Sequence, residues 1–114
     1  MIGERRRVDG SERLTISRTA GPAGALEVSG ELDAYTAGVL EELLTDRASS
    51  GDVRVDLSGV TFIDSTGIRA IVRADNELRS DDRTLVIVDP SPAVMRLLEL
   101  TSLDERFRIE SVPR

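Results

Sequence analysis

The 114-residue chain has no cysteine, no histidine and no tryptophan. Without cysteine there is no thiol nucleophile and no disulfide scaffold. Without histidine there is no imidazole general base and no ready switch near neutral pH. Zinc sites built from these two residues are excluded, and no metal or other cofactor is expected. Lysine is missing too, since all 15 basic residues are arginine. That excludes a Gly-x-x-x-x-Gly-Lys phosphate loop, and no dinucleotide fingerprint is present either. Aromatics are limited to Tyr35, Phe62 and Phe107, so Leu, Val, Ile and Ala must fill the core. No apolar run approaches the roughly 20 residues that span a bilayer. The charged start Met1-Ile2-Gly3-Glu4-Arg5-Arg6-Arg7 is not followed by the apolar stretch of a signal peptide. A cytoplasmic protein with no membrane partner is expected.

What is present fits one soluble domain with one modest core. The net charge of −6 repels polyphosphates, so nucleic acid is not an expected partner. Residues 1–12 are polar and read as a flexible tail, leaving 13–114 as the domain.

Arg13-Leu14-Thr15-Ile16-Ser17 and Leu26-Glu27-Val28-Ser29 alternate polar and apolar residues, the period of half-buried strands. The turn-forming Ala20-Gly21-Pro22-Ala23-Gly24 between them predicts an antiparallel hairpin. After Gly30-Glu31-Leu32-Asp33 comes a helix with a stripe of Val39, Leu40, Leu43, Leu44 and Ala48, ending at Ser49-Ser50-Gly51-Asp52. Asp33 is placed to cap it by accepting from the amides of Tyr35 or Thr36. Val53–Leu57 predicts a third strand, and a helix starting near Ser65 or Thr66 buries Ile68, Ile71, Val72 and Leu78. The run Leu85-Val86-Ile87-Val88 predicts a strand covered on both faces. Ser91 and Pro92 open a third helix with Val94, Leu97 and Leu98 inward. Phe107-Arg108-Ile109 reads as a last edge strand. The order β-β-α-β-α-β-α predicts an α/β fold, a mixed sheet of four to five strands with helices mainly on one face.

The segment Phe62-Ile63-Asp64-Ser65-Thr66-Gly67-Ile68 holds the functional signal. Its Asp-Ser-Thr cluster suits a helix cap, and capping is the plain reading. One such residue is enough for a cap, however, and three are present. Gly67 then sits in the first turn, where glycine costs roughly 1 kcal/mol relative to alanine. It leaves room for another backbone or a bulky group near Ser65 and Thr66. Asp-Ser-Thr-Gly also differs from the Asp-Thr-Gly of aspartic proteases by an inserted residue and a following helix, so no catalytic residue is assigned.

The segment resembles the phosphorylation loop of the STAS domain family, in particular the bacterial anti-sigma factor antagonists. Asp64-Ser65-Thr66-Gly67-Ile68 is similar to their Asp-Ser-Ser/Thr-Gly-Leu, with Ile68 for the commoner Leu. Gly30-Glu31-Leu32-Asp33 and Ser91-Pro92-Ala93-Val94, followed by Leu98-Glu99-Leu100-Thr101-Ser102-Leu103, are further matches. The resemblance spans about Leu14 to Ile109. It implies that Ser65 is the phosphoacceptor, with Thr66 secondary. Asp64, Gly67, Ile68, Glu31, Asp33, Tyr35 and Thr36 are then the residues of the phosphosite loop and of partner binding. For Asp33 and Asp64 capping stays open beside that role, and for Glu31 a solvated rim position.

The same resemblance implies a binding protein that is not an enzyme, acting in transcription regulation. Unphosphorylated, it sequesters a kinase-type anti-sigma factor, which brings its own ATP and magnesium, and so frees a sigma factor. Phosphorylated, it lets go, and a serine phosphatase resets it. A monomer or weak dimer is expected. The alternative is a STAS partner subunit of a transport or stress-sensing complex without sigma regulation.

Overall fold

A computed structural model describes residues 5–8, 13–18, 24–46 and 51–112. The elements run β1 (Arg5–Val8), β2 (Leu14–Arg18), β3 (Leu26–Leu32), α1 (Ala37–Leu44), β4 (Val53–Ile63), α2 (Ser65–Ser80), β5 (Leu85–Val88), α3 (Pro92–Leu100) and β6 (Arg108–Glu110). The strands lie side by side in chain order. β1, β2 and β3 pair antiparallel, while β3 to β6 pair parallel, each parallel step crossing over through a helix. From Leu14 onward this is the five-stranded α/β fold that the sequence implied. β1 adds a further antiparallel edge within the stretch read as a tail. The predicted turn at 20–24, apart from Gly24, and Ala48 to Ser50 lie outside the described residues.

One face of the sheet carries the core. Leu14, Ile16, Val28, Leu57 and Ile87 form one cluster with Leu40 and Leu44 of α1, Ile71 and Leu78 of α2, and Val94 and Leu98 of α3. Each such side chain contributes roughly 1.5–3 kcal/mol by leaving water. Helices therefore pack on a single face. Thr15, Ser17, Glu27, Ser29, Asp56 and Ser58 line an open polar hollow of about 320 Å³ on the other.

β5 is buried along its whole length, but helices cover only one side of it. In register, Val86 lies between Arg54 and Arg108, and Val88 between Asp56 and Glu110. Arg54 Nη1 meets Glu110 Oε1 at 2.6 Å, and Arg108 Nε meets Oε2 at 3.2 Å. The arginines flank Val86 and Glu110 flanks Val88, and their charged ends pair across the two positions. The hydrogen bond from Arg54, helped by both arginine charges, holds the Glu110 carboxyl below its ordinary 4.5.

The sequence reading ended the third strand at Leu57 and inserted a loop before the helix. Instead β4 continues to Ile63. Its pairing with β3 shifts between Glu27 and Ser29, and again between Gly30 and Glu31, so β4 carries two extra residues. At the first shift Gly59 is required, since a Cβ there would stand 2.6 Å from the Ser29 Cβ. The bulges break the alternation by which a strand is read, and the chain passes from β4 into α2 through Asp64 alone.

Candidate functional site

The parallel register sets Glu31 beside Phe62 and Leu32 beside Ile63, so the ends of β3 and β4 finish together. The Asp64 amide ties them by donating to the Leu32 carbonyl at 3.2 Å. Asp64 is extended, and its Oδ1 accepts from the amides of both Thr66 and Gly67 at 3.0 Å. Its carbonyl accepts from Ile68 at 3.0 Å. Asp64 thus caps α2 alone. Ser65, the first helical residue, has no capping duty and is exposed. Beside its hydroxyl stands Arg69, with Nη2 3.5 Å from Oγ and Nε 3.4 Å from the Ser65 carbonyl oxygen.

Gly67 and Ile68 serve this segment from beneath. Gly67 is buried against the end of β3, and Ile68 is only 4% exposed within the core. Neither offers a side-chain surface to a partner, and Ile68 takes the inward place read from the helix stripe. The apolar stripe of α2 requires that position to face inward.

A second cluster forms at the end of β3. Asp33 is 7% exposed, and its Oδ1 accepts from the amides of Tyr35 at 2.9 Å and Thr36 at 3.3 Å. The Ala37 amide donates to the Asp33 carbonyl at 2.9 Å, so Asp33 caps the turn that leads into α1. Thr36 is fully buried, its hydroxyl accepting from the Asp33 amide and donating to the Glu31 carbonyl at 2.7 Å. Thr36 therefore braces the turn from inside, which differs from the partner-binding role that the resemblance implied for it.

Arg13, just before β2, joins the carboxylates. It pairs with Asp33 and, at 3.4 Å, with Glu31, and its guanidinium lies 5.2 Å from the centre of the Tyr35 ring. Tyr35 is 76% exposed and Phe62 48%. Arg13, Glu31, Asp33, Ala34, Tyr35, Phe62 and Asp64 line one open hollow of about 510 Å³. The hollow has three carboxylates around one arginine and two exposed rings, and Ser65 follows directly on its Asp64 wall. Glu31 and Tyr35, both expected at the site, are brought together there with Asp33 and Asp64.

Sequence reasoning missed Arg13, Phe62 and Arg69. Arg13 becomes visible only once the β2–β3 register puts Leu14 opposite Gly30. Phe62 was in the segment, but the second bulge decides which way it faces. Arg69 was legible as the residue four after Ser65 on one helix. Among the described residues, no group of three or more Asp or Glu side chains is arranged to hold a metal ion, and no helix is long and apolar enough to cross a membrane.

The family model described as Mlab, STAS domain matches residues 17–111. The chain belongs to the STAS domain family. A Staphylococcus aureus protein named anti-sigma-B factor antagonist is 37% identical over 86 residues, 74% of this STAS chain and 80% of that protein. The solved anti-sigma factor antagonist of Mycobacterium paratuberculosis matches 90% of each chain with TM-score 0.74 and 26% identity. The antagonist SpoIIAA, solved in its unphosphorylated form, shares the fold with TM-score 0.70 over 87% of this chain and 89% of its own, at 14% identity. These STAS relatives are named for binding roles, not for reactions they catalyse.

Proposed function

We propose that this STAS domain is an anti-sigma factor antagonist, a binding switch controlled by phosphate on Ser65. In this reading the unphosphorylated form sequesters a kinase-type anti-sigma factor in the cytoplasm and so frees a sigma factor for transcription. The kinase supplies ATP, and a serine phosphatase restores the binding form. The observation that carries the proposal is the division of labour at α2: Asp64 does the capping, which leaves the Ser65 hydroxyl exposed. The adjoining hollow, with its acidic walls and the exposed rings of Tyr35 and Phe62, has the character of a protein-docking surface.

Phosphorylation adds about −1.5 to −2 charges and three acceptor oxygens. Placed beside the Asp64 wall, that charge acts mainly on a complex. A phosphate must be desolvated at the contact and faces acidic groups there. A penalty of about 3–4 kcal/mol weakens binding a few hundredfold.

The test mixes the protein with candidate kinase partners and ATP and maps phosphate by mass spectrometry. Phosphate is expected on Ser65, and none on Ser65→Ala, which still binds the kinase. Full-rate phosphorylation of Ser65→Ala would assign the acceptor elsewhere. Capture of a transporter ATPase in place of a histidine-kinase-like ATPase would favour the transport-complex reading.

A further inference from the structure

We infer that Arg69 holds the phosphate once it is on Ser65, as a counter-charge built into the same helix. This rests on the phosphoacceptor reading of Ser65 given above and adds what keeps the modified state in place.

The first observation is the position of Arg69. Its two contacts to Ser65, 3.4 Å and 3.5 Å, are long for hydrogen bonds. The guanidinium rests beside the hydroxyl without gripping it. A phosphate on Oγ projects further out, and its oxygens come within reach of the paired donors of the guanidinium.

The second is the state of the other arginines. Arg73, one turn further along α2, is paired with Glu41 at 3.2 Å. Arg79 and Arg106 both pair with the buried Asp75, at 3.1 Å and 2.9 Å. Arg13 is held by Glu31 and Asp33. Among the described residues no carboxylate pairs with Arg69, so this cation is uncommitted beside the acceptor.

The third concerns the backbone. A phosphate at the start of a helix ordinarily settles on free amides. Here the amides of Thr66 and Gly67 already donate to Asp64 Oδ1, and that of Ile68 to the Asp64 carbonyl. The first turn has little left to offer unless the cap is displaced, and Asp64 itself repels the newcomer. Arg69 is the group that offsets this repulsion, and it favours the doubly charged phosphate over the singly charged one.

The test uses the full chain with phosphoserine inserted at position 65 during translation, which needs no kinase. The phosphorus resonance is followed against pH for the otherwise wild-type chain, Arg69→Gln and Arg69→Lys. The second ionisation should lie lower with Arg69 than with Gln by about 0.3 unit or more, the size expected of an i,i+4 charge pair. Lysine should fall between. The gap should close in about 1 M salt, where the screening length is roughly 3 Å. Arg69 is exposed, so the melting curve should be the same in all three forms. Coincident midpoints for Arg and Gln overturn the inference. Because no kinase takes part, such a result leaves Ser65 as acceptor intact. Failure of the kinase assay, conversely, leaves the midpoints unaffected.

Discussion

Gly67 stands so close to Leu32 that a Cβ on it would lie 2.7 Å from the Leu32 carbonyl oxygen. That same carbonyl accepts the Asp64 amide. The absent side chain thus lets the first turn of α2 lean on the end of β3 and fixes where Ser65 emerges. In an ordinary helix Gly→Ala stabilises by roughly 1 kcal/mol. Here Gly67→Ala should reverse the sign and destabilise by about 1–3 kcal/mol, as overpacking does. Urea unfolding measures it, and a gain in stability would mean that the contact yields easily.

Arg13 and Asp33 should behave as a coupled pair. Asp33→Ala removes the acceptor for two amides along with the partner of Arg13, and about 1–3 kcal/mol of stability should go with it. Arg13→Met leaves the nearly buried carboxylate without its cation. The double variant should therefore lose clearly less than the sum of the single losses. Strict additivity in urea unfolding would mean that the two side chains stabilise the turn independently.

Tyr35→Ala and Phe62→Ala separate binding from folding. Both rings are exposed, so each variant should unfold within about 0.5–1 kcal/mol of wild type, the upper figure allowing for the Arg13–Tyr35 contact. Binding to the anti-sigma kinase identified by the phosphorylation assay should fall at least about tenfold for each. Titration calorimetry reads this, and full affinity in both variants would move the interface away from the hollow.

Acid should weaken the far edge of the sheet through Glu110. Its carboxyl is held below 4.5 in the folded chain, chiefly by the hydrogen bond from Arg54. A lowered folded value means that the ionised form favours folding. The contribution is complete at neutral pH and disappears as the pH falls from about 4.5 through the lower folded value. Glu110→Gln should cost stability near pH 7, and the difference from wild type should shrink as the pH is taken down toward 2. A constant difference across that range would show that the ion pair plays no part.

Much of this was legible in the sequence because it is local. Period-2 alternation located β2 and β3, the apolar stripe located α2, and Ser91 with Pro92 marked the start of α3, where Ser91 Oγ accepts the Val94 amide at 3.2 Å. Asp33 was placed as the cap of the first helix on the amides of Tyr35 or Thr36; the structure has both bonds, but they close the turn before α1, whose N-cap is Thr36. The illegible parts depend on neighbours distant in sequence. The continuous apolar run of β5 predicted cover on both faces but not its nature, and the outer cover is an ion pair between Arg54 and Glu110, 56 residues apart. β4 looked short because Ser58 and Gly59 interrupt its alternation. Arg13 looked like an ordinary strand residue until its register put it among carboxylates. Thr36 was grouped with the partner-binding residues because the motif was read as a unit, whereas its hydroxyl turns inward to the Glu31 carbonyl.

The paired irregularities of β4 also bear on how such a chain can change over time. Val55 and Leu57 point inward, the first added residue shifts the inward position to Val60, and the second shifts it again to Ile63 beside the inward-facing Leu32. Dropping either added residue would remove its bulge, restore regular alternation there, and leave Val60 and Ile63 inward and Phe62 outward. Adding a residue without a bulge to absorb it would instead turn Phe62 inward and rotate the start of α2. Descendants of this sequence can therefore lose one residue at either irregularity without scrambling what lies beyond.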